Sequence, residues 1–481
     1  MAGKWALLSL YLALLVDNLG GFMVVPSLPF VVTDVMHGTP AQYGLMQSAF
    51  AAMQVLGTLV MGKVSDAVGR RVVMLVCLST TGLTLIAFGQ VQRLPGLFFF
   101  RSLDGFFSGT IGVAQAFLAD LVEPAERAGA MAKAGACIGL GLVLGPALGG
   151  TAAGFGDFAF VCNCAAGITL FNFVIALLSL PGVAPSTTAV EEVAEESVWK
   201  LVCQDAMLPG LYVTMFLQML TMSFFTSMLA LSLKDRYDIN ASTMGRILFV
   251  AGMTMVLAQM LLAKRFSALL GQRNCVIFGN LLRAVDLVLM ALITSPVMPY
   301  AVPMVFTFTS ALLLPNMAAL TASRAPETQR GVIMGGLQSI GGLASAIGPT
   351  IGGQIYDRNP KMVWWTAAAV AVCAALAVMT FREEKEAQTD TKKKYITPKM
   401  RRNSTLKISE CAGPDSAGLQ LPMNLMTPDS GGAWGVDGDL FSALSFNDKL
   451  TRRKTFSVES IGRLLDEGEA PATRRATTMI Y

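Results

Sequence analysis

Gly145-Pro146-Ala147-Leu148-Gly149-Gly150 returns about two hundred residues later as Gly348-Pro349-Thr350-Ile351-Gly352-Gly353. The likeness extends upstream, where Arg127, Met131 and Gly139 fall on Arg330, Met334 and Gly342 at nearly the same offset. A second stretch, Gly62-Lys63-Val64-Ser65-Asp66-Ala67-Val68-Gly69-Arg70-Arg71, has a fainter echo in Lys264-Arg265-Phe266-Ser267-Ala268-Leu269-Leu270-Gly271-Gln272-Arg273. One Gly-Pro-Gly-Gly patch recurs easily by chance; two motifs in the same order at a shared offset do not. The chain reads as two halves built on one plan, an arrangement that lets a membrane protein hold a central site between two rocking bundles.

Composition agrees with a membrane setting. Hydrophobic residues make up 53% and charged residues 14% of the chain, with a mean hydropathy of +0.57. A soluble domain carries about 25% charged residues. Apolar runs of about 20 residues, the length that crosses a bilayer as a helix, lie near 5–33, 43–62, 72–92, 96–119, 129–152, 158–180, 208–233, 242–263, 274–294, 297–321, 331–355 and 362–381. They are continuous and rich in Leu, Ala, Met and Gly, without the alternation of barrel strands. The first run begins almost at Met1, is too long for a signal core and has no convincing cleavage site, so it reads as a retained span. The expected fold is an all-α membrane protein with twelve transmembrane helices in two pseudo-symmetric six-helix bundles.

The expected organisation is an N-terminal bundle over 1–182, a cytosolic linker over 183–207, a second bundle over 208–382 and a disordered cytosolic tail over 383–481. Glu191, Glu192, Glu195 and Glu196 mark the linker, and the tail has no spanning run. Lys63, Arg70, Arg71, Arg127, Lys200, Lys264, Arg265, Arg273, Arg324 and Arg330 occupy even-to-odd connections, against fewer basic residues in the others. This bias puts both termini in the cytosol. The sequon Asn240-Ala241-Ser242 then faces outward. Arg401-Arg402-Asn403-Ser404 and Arg452-Arg453-Lys454-Thr455-Phe456-Ser457 in the tail suit a basophilic kinase, whose phosphate would reverse the local charge and release the tail from anionic lipid.

Several chemistries are left without a basis. The eight cysteines are scattered, the single histidine, His37, lies in a loop, and neither gives a metal-ligand spacing. There is no phosphate-cradling loop with Lys and Ser/Thr, so ATP is not the expected drive. No enzyme, metal, cofactor or nucleic-acid partner is implied. The implied partners are a small-molecule substrate, protons, the lipid bilayer and a kinase acting on the tail. The plasma membrane and an acidic vacuole- or lysosome-like membrane fit equally, since both supply a proton gradient.

Asp17-Asn18-Leu19-Gly20 with Pro26-Ser27-Leu28-Pro29, then Gly62 to Asp66 with Gly69-Arg70-Arg71, then Arg101-Ser102-Leu103-Asp104-Gly105, then the glycine-proline stretch Gly141 to Gly150, occur in that order. In this the chain resembles the major facilitator superfamily over about residues 5–382, and within it the drug:proton antiporters of the tetracycline-efflux type. The resemblance implies a twelve-helix fold and alternating access. It implies a conformational gate at Gly62, Asp66, Gly69, Arg70 and Arg71, where the charges lock the bundles at the cytosolic side. Ala67 departs from the pattern, which has a basic residue after the aspartate, so part of that charge network is weaker here.

Charges inside a membrane are costly and mark function by default. Asp17 lies near the midplane of the first span, ~18 Å along it. Arg101 and Asp104, one helical turn apart, lie at a comparable depth. An acid beside an arginine can release a proton in one conformation and regain it when the arginine moves away. Asp17, Arg101 and Asp104 are therefore the expected proton-coupling groups. Arg283 and Asp286 repeat the one-turn spacing in the ninth span, either as a second-half counterpart or as a self-satisfied pair against a neighbouring helix. With Asn18, Gln54 and Gln338 they are the expected substrate-cavity residues. Gly145, Pro146, Gly149, Gly150, Gly348 and Pro349 are expected to form an inter-bundle seam, because small residues allow close approach and proline bends the span. Trp364 and Trp365 are expected at a membrane interface. Together these features point to a proton-coupled exporter of a small organic compound. A uniporter or symporter of a metabolite, or a transport-dead receptor or scaffold, is the alternative.

Overall fold

The computed structural model describes residues 2–123, 126–182, 207–292, 295–325 and 329–380. The expected linker, apart from Met207, and the expected tail with both basic patches lie outside them. The helices are α1 (Ala2–Met23), α2 (Pro40–Val68), α3 (Arg70–Gln90), α4 in two pieces (Leu94–Phe107 and Thr110–Leu121), α5 (Arg127–Phe155), α6 (Phe158–Ser179), α7 (Leu208–Tyr237), α8 (Ala241–Leu257, running on through a π-turn into Lys264–Leu270), α9 (Gln272–Leu292), α10 (Met298–Arg324), α11 (Arg330–Arg358) and α12 (Met362–Thr380). No strand occurs among the described residues.

Eleven of these helices are long and apolar enough to cross a bilayer alone. The fourth is broken at Ser108-Gly109 into pieces of 14 and 12 residues. At 1.5 Å per residue neither piece reaches across a ~30 Å hydrocarbon layer, but end to end they complete the twelfth crossing. The sequence reading treated 96–119 as continuous, because neither serine nor glycine interrupts the hydropathy.

The repeat holds well beyond the motifs that revealed it. Gly69 and Gly271 both carry positive φ where one helix stops and the next starts, at 106° and 80°, backbone that glycine enters without penalty. His37 and Asp238 are matching left-handed residues, at 53° and 51°. Thr39 caps α2 by accepting from the Gln42 amide, and Asn240 caps α8 by accepting from the Thr243 amide. Tyr11 in α1 donates to the Ala130 carbonyl of α5, and Tyr212 in α7 donates to the Ile333 carbonyl of α11. Arg71 donates to the Leu177 carbonyl at the end of α6; Arg273 does the same to Val378 and Met379 at the end of α12.

Among the described residues the buried apolar side chains gather in three clusters. One draws on both halves, with Val24, Tyr43 and Phe88 packed in the same cluster as Phe224, Met244 and Tyr356. The other two are private: Leu10, Met74 and Phe117 in the first half, Leu208, Val276 and Ile333 in the second. The shared cluster lies at the end where α2 begins and α11 finishes; the private ones lie at the end where α1 and α7 begin.

Contacts between the halves follow the same division. α2 lies along α11, and α5 along α8. At the shared end the Thr350 amide donates to Ser48 Oγ at 2.9 Å, the Ala41 amide to Asp357 Oδ2 at 3.4 Å, and Lys234 pairs with Asp34. At the other end no hydrogen bond or ion pair joins the halves among the described residues, and a Cβ added to Gly62, Gly135, Gly331 or Gly335 would meet no atom within 4 Å. The two halves are joined at one end and parted at the end that carries the N-terminus.

Trp364 is turned into the protein and not outward as an anchor would be. It is fully buried, donates from Nε1 to Ser232 Oγ of α7 at 3.0 Å and meets Phe225 edge-on. Trp365, the next residue round the helix, is 46% exposed. Successive residues on a helix point about 100° apart, so an adjacent pair is split between core and surface.

Candidate functional site

The site begins with glycine. Gly57 of α2 lies against the Phe106 backbone, Gly105 of α4 against the Phe50 backbone and Gly109 against Thr58. No side chain keeps α2 and α4 apart, so Arg101 and Ser108 come directly onto the α2 face that carries Phe50 and Gln54. The break at Ser108-Gly109 turns the second piece of α4, and Thr110 at its first turn faces α1.

The result is a cavity of about 220 Å³ inside the first half, lined by Asp17 and Asn18 of α1, Gln54 of α2, Arg101 and Asp104 of α4, and Thr110. Arg101 Nη1 pairs with Asp104 Oδ2 at 2.7 Å, and its guanidinium stacks 3.8 Å from the centre of the Phe50 ring. Arg101 Nε is buried without a hydrogen-bond partner, as is the Thr81 hydroxyl. Asp17 is half-buried and accepts from the Thr110 hydroxyl at 2.6 Å. Gln54 Nε2 donates to Ser108 Oγ at 3.1 Å; Asn18 Nδ2 donates to the Leu14 carbonyl of its own helix. The structure thus gathers Asp17, Arg101 and Asp104 round one space without making them a single cluster. The arginine is committed to Asp104, and Asp17 has no cation paired to it among the described residues. Thr110, Thr81, Ser108 and Phe50 belong to this site and escaped the sequence reading, since hydroxyls and phenylalanines are common in any span.

A second cavity, of about 170 Å³, lies between the halves. Gln47 and Phe50 of α2 wall it on one side, Ser223, Thr226 and Ser227 of α7 and Ser345 of α11 on the other.

Other expected cavity residues lie elsewhere. Arg283 and Asp286 are buried, 3% and 4% exposed, and line neither cavity. Arg283 donates to Thr309 and Ser310 of α10 at 3.1 and 2.6 Å and lies over the Phe306 ring. Arg283 faces a neighbouring helix, Asp286 Oδ2 is buried without a hydrogen-bond partner, and both are on α9, whose counterpart in the first half is α3 and not α4. Gln338 is exposed and lines neither cavity.

The expected gate residues form a network inside the first half. Arg70 bonds Asp66 at 2.5 Å, Ser65 Oγ at 2.5 Å and Asp120 Oδ2 at 3.2 Å, tying the end of α2 to the start of α3 and the end of α4. Asp120 was missed; its signal is an acid at the foot of an otherwise apolar helix.

The expected seam splits into two faces. Gly145 packs on Phe22 and Gly149 on Met23, both in α1, and Gly348 packs on Ser223 of α7, so these three join helices within one half. Gly150 and Pro146 cross the halves: a Cβ on Gly245 of α8 would lie 2.5 Å from Gly150 Cα and 2.6 Å from the Pro146 carbonyl oxygen. Pro349 and Gly353 meet Gly44 of α2 in the same way. Residues four apart share a stripe, and the next residue, at 150 or 353, points about 100° away from it.

Apolar helices of spanning length in two pseudo-symmetric halves, with one cavity inside the first half and another between the halves, are the architecture of a membrane transport protein. Residues 10–226, and again 211–427, match the model of the Major Facilitator Superfamily, and the chain belongs to that family. It is 27% identical over 373 residues to the class G tetracycline resistance protein of Vibrio anguillarum, covering 76% of this chain and 94% of that one. It is 26% identical over 358 residues to major facilitator superfamily domain-containing protein 10 of Homo sapiens, covering 68% and 74%. Among solved structures it is similar to the human organic anion transporter MFSD10, with a TM-score of 0.58, 22% identity and coverage of 78% and 99%. It is also similar to the nucleoside transporter NupG, with a TM-score of 0.62, 13% identity and coverage of 78% and 100%. These likenesses to solved structures carry the fold.

Proposed function

We propose that the chain is a proton-coupled antiporter that exports a small organic compound by alternating access, with Asp17 as the group that exchanges the proton. One observation carries this reading: Asp17 is an intramembrane carboxylate that borders a cavity and is held by a hydroxyl rather than by a cation. A carboxylate in that setting is costly when charged, so it gains from either a proton or a substrate group that satisfies it. Competition between the two for one carboxylate couples their opposite movements. Arg101 and Asp104 hold each other and shape the cavity wall beside it. The likeness to tetracycline resistance proteins supports export of an organic compound.

With both termini in the cytosol, as the distribution of basic loops implies, the parted end faces the cytosol and the joined end faces outward. Gly44 with Pro349 and Gly245 with Pro146 are then the outer seal. The Asp66, Arg70 and Asp120 network, with Arg71 beside it, stands ready at the inner end to receive the second half when it closes. Arg283 braces α9 against α10. The plasma membrane or an acidic endomembrane would supply the proton gradient.

The test uses full-length protein in sealed vesicles with tetracycline as the probe. Addition of tetracycline should move protons in the opposite direction. Asp17→Asn should abolish that exchange while leaving the thermal stability of the protein within a few degrees. Tetracycline movement that ignores a pH gradient would overturn antiport in favour of a uniporter.

A further inference from the structure

We propose that the cavity between the halves is a subsite for the uncharged, hydrogen-bond-donating end of the transported compound. The proposal rests on the antiporter reading in taking the neighbouring cavity as the transport cavity.

Phe50 borders both spaces. One face of its ring carries the Arg101 guanidinium, so the ring stands as a partition, and a ligand lying along it reaches from the charged space into the uncharged one. The chemistry of the second space follows from where its hydroxyl hydrogens go. Ser223 donates to the Ser345 carbonyl at 3.4 Å, Thr226 and Ser227 to the Ser223 carbonyl at 3.4 and 2.6 Å, and Ser345 to the Gly341 carbonyl at 3.0 Å. With its hydrogen used in this way, a hydroxyl can still offer its oxygen lone pairs. Gln47 Oε1 is a further acceptor, buried and without a hydrogen-bond partner. No charged side chain lines the space.

Serine and threonine bonded to their own helix are ordinary in membrane spans. A buried amide oxygen left unsatisfied at the mouth of a cavity is not, because it carries the full cost of its desolvation. A set of acceptors with a single amide donor fits a hydroxyl, an amide N–H or an aryl amine. To a carboxylate it offers no cation and a single amide donor. Position adds to chemistry. α2 belongs to the first half, and α7 and α11 to the second, so this set of contacts exists only while the halves hold their present arrangement. A ligand bound there binds one conformation better than the other, the requirement for shifting the equilibrium.

Ethidium and tetraphenylphosphonium test the idea as probes, since both are aromatic monocations and only ethidium has N–H donors. Tetracycline serves as a second donor-bearing probe. Binding to the purified full chain is measured for wild type, Gln47→Leu, Thr226→Val and Thr226→Ser. We expect the first two substitutions to weaken ethidium and tetracycline about tenfold, one lost hydrogen bond to a buried acceptor. Tetraphenylphosphonium should stay within about twofold on the same estimate, and Thr226→Ser should keep wild-type affinity. Equal losses for all three probes, no loss for any, or no binding of either donor-bearing probe to wild type would overturn the subsite. Proton movement on adding tetracycline is recorded in parallel. Its loss in Asp17→Asn with the selective binding pattern intact upholds both readings. A selective pattern without any proton movement upholds the subsite and removes the antiporter reading.

Discussion

Gly44 and Gly245 do the same job in opposite halves: each lets its helix lie on a proline carbonyl of the other half, Pro349 for the first and Pro146 for the second. The two contacts sit at the joined end, and each has room for a hydrogen and nothing larger. Gly245→Val should therefore force α8 away from α5 and hold that end apart. A cysteine placed at Ala41 should react slowly with a membrane-impermeant maleimide in the otherwise unchanged protein, and several times faster beside Gly245→Val. An unchanged rate would mean that the contact has slack the geometry does not suggest.

Arg101 and Asp104 are both buried and held at 2.7 Å. Removal of one partner leaves a charge uncompensated, at a cost of about 3–5 kcal/mol. Arg101→Ala should lower the melting temperature sharply. Arg101→Gln combined with Asp104→Asn, neutral at both positions, should recover most of the loss. Additive losses in the two single changes and the pair would show that the groups do not sense each other.

Arg71 and Arg273 each close the end of a helix by donating to its last carbonyls. Arg71→Ala and Arg273→Ala should each cost about 1 kcal/mol, the worth of a hydrogen bond, and the two changes should be additive because the sites are far apart. Arg70→Ala, which frees Asp66, Ser65 and Asp120 together, should cost more than either. Equal effects at Arg70 and Arg71 in thermal unfolding would count against the network.

Lys234 and Asp34 link the halves from side chains that are 25% and 48% exposed. An ion pair so open to water contributes about 0–1 kcal/mol and is screened by salt. Lys234→Ala should raise the maleimide rate at Ala41 modestly at low ionic strength and have almost no effect at high ionic strength. An effect that persists in high salt would point to packing by the lysine stem.

The duplication was legible because both halves need the same close approach, and only glycine beside proline meets it; the pattern at Gly150 and Gly353 is that need written twice. The broken fourth span was not legible, because Ser108-Gly109 is neutral in hydropathy and its effect depends on how α4 lies on α2. Asp17 could be found as a costly charge in an apolar run, but its partner could not: Thr110 is one of many hydroxyls, and only folding shows which one points at α1. Arg283 and Asp286 were legible only as two alternatives, a second-half counterpart or a pair set against a neighbouring helix; Arg283 turns to Thr309 and Ser310 of α10, a choice that spacing alone does not make. The tightness of Gly149 on α1 and of Gly150 on α8 differs by a single helical step, which spacing alone does not assign to one neighbour or the other.

Among the described residues, the apolar cluster that both halves share has no equivalent at the parted end. Pulling the halves apart there uncovers Tyr43, Phe224, Met244 and their neighbours as one surface, at about 25 cal/mol for each Å² wetted. A narrow crack already incurs much of that cost before a new seal has formed elsewhere. In the antiporter proposed above, intermediate widths would therefore be the least populated, and the molecule would work as a valve with two settings, able to sit in a bilayer without draining a proton gradient.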